Sequence, residues 1–216
     1  MHDLYLEFKK ALENAEKERA ILLCLDALSA NKMTLLQLYT EVLAPSLNTI
    51  ECSSYDWECI WKEHISTSIV RTVLENCYPI IIKKRNESGY KDSLGTVVVF
   101  CPPDEYHDLG ARMVSDFFTL AGYRAIFVGN NTPKKSFLSA IGKIEPNYIA
   151  ISVSNPYHLF QTKEIIKEIR NSCPSTLKIV VGGQAFKKNP NAYKDIGADI
   201  LLENFDQISK LKEGRK

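Results

Sequence analysis

From residue 96 onward the sequence alternates between short apolar runs and segments with helical periodicity. The apolar runs are rich in β-branched residues, which is typical of strands buried on both faces of a parallel sheet. Strict alternation of strand and helix predicts a doubly wound α/β fold of the flavodoxin-like kind, with right-handed crossovers. We expect five strands, over residues 96–101, 123–128, 148–153, 178–181 and 199–202.

Residues 1–84 contrast with this pattern, because their apolar positions recur only at helical spacing. They predict four or five helices joined by short loops, which is typical of a four-helix-type bundle. The polar segment 85–93 shows no periodicity and is typical of an interdomain linker. The sequence thus predicts a helical domain over 1–84, a linker over 85–93 and an α/β domain over 94–216.

The composition argues against several classes of partner. The net charge is +1, so no strong field would attract nucleic acid or an anionic membrane. No apolar run is long enough to span a bilayer. The amino terminus shows no secretory signal, and the six cysteines are scattered without a C-x-x-C pair. We therefore expect a cytoplasmic protein that binds neither nucleic acid nor membrane directly.

The loop after the first predicted strand carries residues that suit a metal-containing cofactor. Open α/β sheets bind ligands at the carboxyl ends of their strands, where this loop lies. His107 is a potential metal ligand, and Glu105 stands two residues before it, where a carboxylate can hydrogen-bond the second ring nitrogen. Gly110, three residues after His107, would let a flat group come close to the backbone.

Two further elements follow later strands: Ser152-Val153-Ser154 after the third and Gly182-Gly183 after the fourth. Together with Glu105-Tyr106-His107-Asp108-Leu109-Gly110, they resemble the signature of a family of cobalamin-binding domains. Methionine synthase, corrinoid methyl carriers, cobalamin-dependent mutases and cobalamin light sensors share this domain. The family motif has aspartate in place of Glu105, and the glutamate version is more similar to the light sensors of the MerR type.

The resemblance implies a role for each polar residue of these motifs. His107 would be the lower axial ligand of cobalt, in place of the cofactor's own base. Glu105 would orient the imidazole ring, and Ser152 would extend this relay. Asp108 and Ser154 are assigned to the cofactor site with them.

The glycines of the motifs are expected to let the backbone approach the buried tail of the cofactor. They are Gly110, Gly182 and Gly183. The alternative is that these glycines only form turns and that His107 is an ordinary loop histidine. A further histidine, His158, lies just past the third strand, on the ligand-binding edge of the sheet. It is expected to be a surface loop residue, and the alternative is that it contacts a side chain of the corrin ring.

The helical half resembles the cap that covers the upper face of the cofactor in the light sensors. That cap carries a tryptophan, nine residues and then Glu-His, and Glu63-His64 match the pair. The required tryptophan position holds Ser53 instead. Trp57 and Trp61 lie one helical turn apart and would supply aromatic cover from another position. The alternative is that both tryptophans pack in the core.

These features favour a cobalamin-dependent sensor or regulatory module that binds adenosylcobalamin or methylcobalamin base-off, with His107 on the cobalt. The chain shows no basic helix-turn-helix, so such a sensor is expected to signal through a separate protein partner or through self-association as a homo-oligomer. The alternative is a corrinoid methyl carrier that serves a methyltransferase. A further alternative is a protein-interaction module that binds no cobalamin. We expect no catalytic activity of the chain's own.

Overall fold

The computed structural model describes residues 2–50, 56–89 and 94–211. It divides into two compact units, Met1–Ile81 and Ile82–Lys216, which we call the first and second unit. Each unit contains fully buried apolar side chains. Within the described ranges, no helix has the length and apolar character needed to cross a bilayer.

The first unit is helical, as its periodicity predicts. Its helices are α1 (His2–Glu13), α2 (Lys17–Ser29), α3 (Leu35–Gln37), α4 (Ala44–Asn48) and α5 (Trp57–Glu87), with a π-helical segment, Leu38–Leu43, between α3 and α4. Helix α1 packs against α2, the π-helical segment and α4. On α5 the buried positions recur at helical spacing, as Ile69, Val73 and Cys77 do, so that one face of the helix is apolar.

Local signals set the boundaries of the short helices. Thr34 begins α3 with a capping box, in which its hydroxyl accepts a hydrogen bond from the backbone N–H of Gln37 at 3.2 Å and the Gln37 side chain accepts one from the N–H of Thr34 at 2.9 Å. Pro45 follows the π-helical segment, where the N–H of Ala44 donates to the carbonyl of Tyr39. The helix passes the proline with this widened turn and ends at Asn48.

Helix α5 is longer than the sequence predicts. Its apolar periodicity predicts a helix over about 56–77, yet the helix continues to Glu87 with Pro79 inside it. It therefore includes the first residues of the predicted linker. Residues 90–93 of that linker lie outside the described ranges.

Five parallel strands form one sheet in the second unit, in the order β2-β1-β3-β4-β5. The strands are β1 (Thr96–Phe100), β2 (Arg124–Gly129), β3 (Tyr148–Ser152), β4 (Lys178–Gly182) and β5 (Ile200–Leu201). The predicted doubly wound, flavodoxin-like sheet is confirmed. Its central strands are apolar because both of their faces are covered.

Helices connect the strands in the predicted alternation. They are α6 (Leu109–Ala121), α7 (Lys134–Ile144), α8 (Leu159–Ser172), α9 (Ala192–Asp195) and α10 (Phe205–Lys210), with 3-10 turns at Pro156–His158 and Gln184–Phe186. Gly122 adopts a left-handed conformation, with φ of 98°, and ends α6. The core combines strand residues such as Val98 and Ile149 with helix residues such as Ile141 and Ile169.

The strand order reverses between β1 and β3, and this reversal positions the site. The chain leaves β1 for β2 on one side and returns to β3 on the other. The loops that leave the carboxyl ends of β1 and β3 therefore diverge, and a crevice forms between them. The loop over 101–108 follows β1, and the loop over 153–155 follows β3.

Candidate functional site

A buried carboxylate, that of Glu105, joins the loops after β1 and β3. Its side chain has no solvent exposure. The Oε1 atom accepts hydrogen bonds from the backbone N–H of His107 at 3.1 Å and from Nδ1 of the same residue at 2.8 Å. The Oε2 atom accepts from the backbone N–H groups of Ser154 at 2.9 Å and Asn155 at 3.0 Å, and lies 3.1 Å from Nδ1 of His158. Both oxygens are thus saturated with donors.

Burial and hydrogen bonding act in opposite directions on the pKa of Glu105. Removal from water raises the pKa from its ordinary value of 4.5, whereas the His107 imidazole and the backbone N–H groups of Asn155, His107 and Ser154 lower it by hydrogen bonding. The hydrogen bonds outweigh the burial, and the pKa of Glu105 falls to about 2. At neutral pH the carboxylate is therefore ionised and accepts hydrogen bonds only.

The ionised carboxylate fixes the tautomer of His107. Because Glu105 only accepts, Nδ1 of His107 must carry the proton, and in the neutral ring the lone pair then belongs to Nε2. The His107 side chain is 65% exposed although the carboxylate that holds it is buried. An imidazole held in this way through one nitrogen is suited to ligate a metal through the other.

The two serines predicted for the site occupy different places. Ser154 meets Glu105 through its backbone N–H and not through its hydroxyl. Ser152 ends β3 opposite Gly182, and it is not among the described residues that hydrogen-bond Glu105. The described hydrogen bonds of Glu105 therefore do not include the Ser152 step of the predicted relay, and that step stays a prediction. The carboxylate lies beyond the end of β3, where the backbone of Ser154 and Asn155 reaches it first.

Asp108 lies at the junction between the β1 loop and α6. Its side chain is buried, and its backbone carbonyl accepts the N–H of Arg112 at 2.8 Å, so that it begins the helix. The thiol of Cys101, at the start of the same loop, lies 3.9 Å from the carbonyl oxygen of His107. Burial raises the pKa of this thiol to about 12, so it stays protonated and can donate to that carbonyl.

The three glycines of the motifs differ in what they make room for. A Cβ on Gly183 would lie 2.3 Å from the carbonyl oxygen of Val153, and one on Gly182 would lie 2.7 Å from the carbonyl oxygen of Leu202. Packing of the protein's own backbone therefore demands glycine at both positions, whereas we expected approach to a cofactor as the reason. At Gly110, in the first turn of α6, an added Cβ would meet nothing within 4 Å, so the space beside it is open to a bound group.

Replacing Gly183 with alanine is expected to destabilise the second unit by roughly 3 kcal/mol, because the Cβ would meet a carbonyl oxygen and φ is +109°. Urea unfolding measures this loss. Gly129 is a matched control, since its φ is +104° but nothing lies within 4 Å of an added Cβ. Equal losses for Gly183→Ala and Gly129→Ala would contradict the role of the close contact.

His158 belongs to the same network, so the expectation of a surface loop residue is wrong. It ends the 3-10 turn after β3, its side chain is 19% exposed, and its Nδ1 faces Oε2 of Glu105. The sequence carries one signal for this, namely that His158 closely follows a strand at the ligand-binding edge. Its partner stands 53 residues away, and no local pattern pairs the two.

Aromatic side chains that sequence reasoning did not select are exposed in this region. Tyr106 lies beside His107, Tyr157 lies within the 3-10 turn that carries His158, and Phe160 lies in the first turn of α8. Large exposed apolar groups beside a site typically mark a surface that contacts a ligand or a partner. Their position could have selected them, since they follow the carboxyl ends of β1 and β3, where this fold binds ligands.

The residues predicted for a cap lie on α5. Trp57 and Trp61 are 75% and 67% exposed, so the alternative that they pack in the core is wrong. Glu63 is half-buried and His64 is exposed. Ser53, the position of the missing tryptophan, lies outside the described residues.

A model of the B12-binding domain family matches residues 95–207, which is more than half of the chain. The chain belongs to this B12-binding family. It is therefore a cobalamin-binding protein, in which a helical region precedes the α/β domain, and the alternative without cobalamin is set aside. The site fits the cofactor, because it offers an imidazole with its lone pair on Nε2, a buried carboxylate that holds the ring, and open space at Gly110.

Curated relatives of this B12-binding chain include corrinoid proteins and regulators. Trimethylamine corrinoid protein 1 of Methanosarcina acetivorans is 29% identical over 150 residues, which cover 66% of this chain and 65% of that protein. The match thus spans slightly less than two thirds of the relative's length. The HTH-type transcriptional repressor CarH of Myxococcus xanthus is 23% identical over 180 residues, which cover 81% of this chain and 56% of the repressor.

Solved structures share the fold of this chain. The monomethylamine corrinoid protein of Methanosarcina barkeri has a TM-score of 0.77 at 18% identity, with 97% of both chains covered. One chain of the methanol:cobalamin methyltransferase complex of the same species has a TM-score of 0.52 at 19% identity. The match covers 98% of this chain and 79% of that chain. At such identities the likeness establishes the fold.

Proposed function

We propose that this protein is a corrinoid carrier, which binds cobalamin with His107 as the lower ligand and presents it to a methyltransferase. The observation that carries the cofactor assignment is the hydrogen bond of 2.8 Å between Nδ1 of His107 and the buried carboxylate of Glu105. It leaves the lone pair of the exposed imidazole on Nε2, at the edge where this fold binds ligands. The carrier role is supported by the relatives at 29% and 28% identity, both of which are trimethylamine corrinoid proteins.

The chain's own residues would hold and orient the cofactor. Bound cobalamin would supply a cobalt centre that accepts and gives up a methyl group. His107 would ligate it from below, Glu105 would keep the proton on Nδ1, and Gly110 would leave room beside the ligand. The cofactor-binding roles predicted for Asp108, Ser152, Ser154, Gly182 and Gly183, and for Glu63, His64, Trp57 and Trp61 on α5, stay predictions.

A light or cobalamin sensor is the second candidate. It is supported by Glu105, which is the variant of the motif that resembles the light sensors, and by the match to the repressor over 81% of this chain. The physiological upper ligand would then be adenosyl, whereas the carrier would use the methyl form. A signalling protein or a second copy of the chain would take the place of the methyltransferase.

One preparation, loaded with cobalamin, distinguishes the two functions. For a carrier, the reduced protein-bound cofactor should be methylated rapidly by methyl iodide, as followed by its visible spectrum. The molar mass of the adenosyl form, measured by light scattering, should then be the same in darkness and after illumination. A light-driven change of molar mass together with slow methylation would overturn the carrier proposal in favour of the sensor.

Replacing Gly110 with alanine tests whether the cofactor lies against the first turn of α6. Without cobalamin the variant should be as stable as the wild type or more stable by up to about 1 kcal/mol, because alanine is the better helix former and its Cβ meets nothing. Cobalamin affinity, measured by calorimetry, should fall by about tenfold or more, since the methyl group would enter the space that the cofactor needs. Unchanged affinity would remove Gly110 from the site.

A further inference from the structure

His158 is held firmly at the second oxygen of the Glu105 carboxylate. Its Nδ1 lies 3.1 Å from Oε2, on the side of the carboxylate away from the oxygen that holds His107. The backbone N–H of His158 donates to the carbonyl of Asn155 at 3.0 Å, and its own carbonyl accepts the hydroxyl of buried Thr162 at 2.7 Å. The imidazole is therefore placed by the backbone around it.

The chemistry of the carboxylate decides how His158 interacts with it. Because backbone N–H groups already donate to both oxygens of Glu105, each oxygen is an acceptor, and His158 therefore donates its Nδ1–H to Oε2, just as His107 donates its Nδ1–H to Oε1. Two imidazoles thus share the negative charge of one carboxylate. Each donor that Glu105 accepts reduces the charge with which it polarises the N–H of the other ring.

We infer that His158 weakens His107 as a cobalt ligand by sharing the carboxylate that polarises it. This inference rests on the proposed function, in which His107 is the lower ligand. Without His158, Oε2 keeps the backbone N–H groups of Ser154 and Asn155, so the carboxylate stays in place. Its charge then acts more strongly on the His107 N–H and makes Nε2 a better donor to the metal. The two histidines and Glu105 form a chain that sets the strength of the lower ligand.

The predicted consequence is a change in how easily the bound cobalamin is reduced. A stronger lower ligand favours the cob(II)alamin state over cob(I)alamin, which binds no lower ligand. In the His158→Leu variant, at a fixed applied potential, the ratio of reduced to oxidised cofactor should fall by about threefold to tenfold, which is the range that an ordinary intramolecular hydrogen bond produces, because His158 acts on the cobalt only through Glu105 and His107. His158→Ala should change the ratio in the same direction, and His158→Asn, whose amide can donate from the place of Nδ1, should restore it.

A purely structural role for His158 predicts the opposite sign. If loss of His158 loosened the carboxylate, His107 would ligate more weakly and the reduced fraction would rise. A rise, or no change, in both the leucine and the alanine variants overturns the inference. The paramagnetic resonance spectrum of cob(II)alamin, in which a nitrogen ligand splits the signal, reports the ligation directly.

The double variant separates this inference from the proposed function. If the effect acts through His107, then His107→Ala and His107→Ala with His158→Leu should give the same ratio of reduced to oxidised cofactor. A shift between these two variants overturns the inference and leaves His107 as the ligand. If the wild type itself lacks a splitting from a protein nitrogen, the ligand assignment in the proposed function fails instead.

Discussion

Replacing His107 with alanine is expected to remove the protein's nitrogen from the cobalt of bound cobalamin and to weaken binding by about 10- to 100-fold. The imidazole is the ligand that the site holds by a buried carboxylate, and the remaining contacts cannot replace a metal–nitrogen bond. Because the His107 side chain is 65% exposed, the apoprotein should lose little stability. Added imidazole should restore part of the affinity.

Isotope labelling identifies the nitrogen in this experiment. The cofactor's own base also splits the signal of cob(II)alamin, as a triplet from ¹⁴N. In protein labelled with ¹⁵N-histidine, the splitting should become a doublet, and the His107→Ala variant should lose it. His2→Ala, a change at an exposed residue of α1, is the matched control and should keep the doublet. A triplet in the labelled wild type would mean that the cofactor keeps its own base.

Much of the second unit could be predicted because buried parallel strands are continuous apolar runs. The run from Val97 to Phe100 is buried throughout and could be assigned without knowledge of its neighbours. The end of helix α5 was harder to predict, because Pro79 and the polar residues after it interrupt the apolar periodicity from which a helix is recognised in a sequence. The residues that follow Ile82 are mostly exposed, but lysine and arginine are good helix formers, and Lys83 and Glu87 form an ion pair one turn apart, so the helix continues to Glu87.

The candidate site, too, could be predicted from the sequence only in part. The position of His107 follows from local spacing, because strand, loop and helix are adjacent in the chain. The contact of His158 with Glu105 depends on how two loops meet across β1 and β3, and spacing along the chain contains no such information. Likewise Gly183 looks like a residue that makes room for a ligand, whereas the carbonyl of Val153 is what approaches it. The motifs therefore indicate where the site residues lie, but they do not always indicate why a particular residue is needed there.

Replacing Glu105 with glutamine is expected to destabilise the second unit by about 3 kcal/mol and to disturb the ligation of cobalt by His107. Five N–H donors meet the two carboxylate oxygens, and an amide would turn one acceptor into a donor that faces them. A buried donor left without an acceptor costs about 1–3 kcal/mol, and more where a charge is lost. Urea unfolding measures the stability, and the nitrogen splitting of cob(II)alamin measures the ligation.

The stability of the wild type at acid pH should also show the contribution of the Glu105 carboxylate. The pKa of Glu105 is about 2 in the folded protein, below its ordinary value of 4.5, so the folded state binds fewer protons than the unfolded state. The stability that Glu105 contributes is therefore complete above pH 4.5 and is lost as the pH falls towards 2. Unfolding measured between these limits should show a steeper loss in the wild type than in Glu105→Gln, which has no carboxyl to titrate.

Replacing Glu105 with aspartate separates the effect of the negative charge from the effect of side-chain length. Glu105→Asp keeps the acceptor and its negative charge but is one methylene shorter, so it should be more stable than the glutamine variant while holding His107 less well than the wild type. Its acid dependence should return in part, because a hydrogen-bonded carboxylate is again present. If the glutamine variant matched the wild type in stability, in its response to acid and in the nitrogen splitting, Glu105 would have no part in holding the ligand.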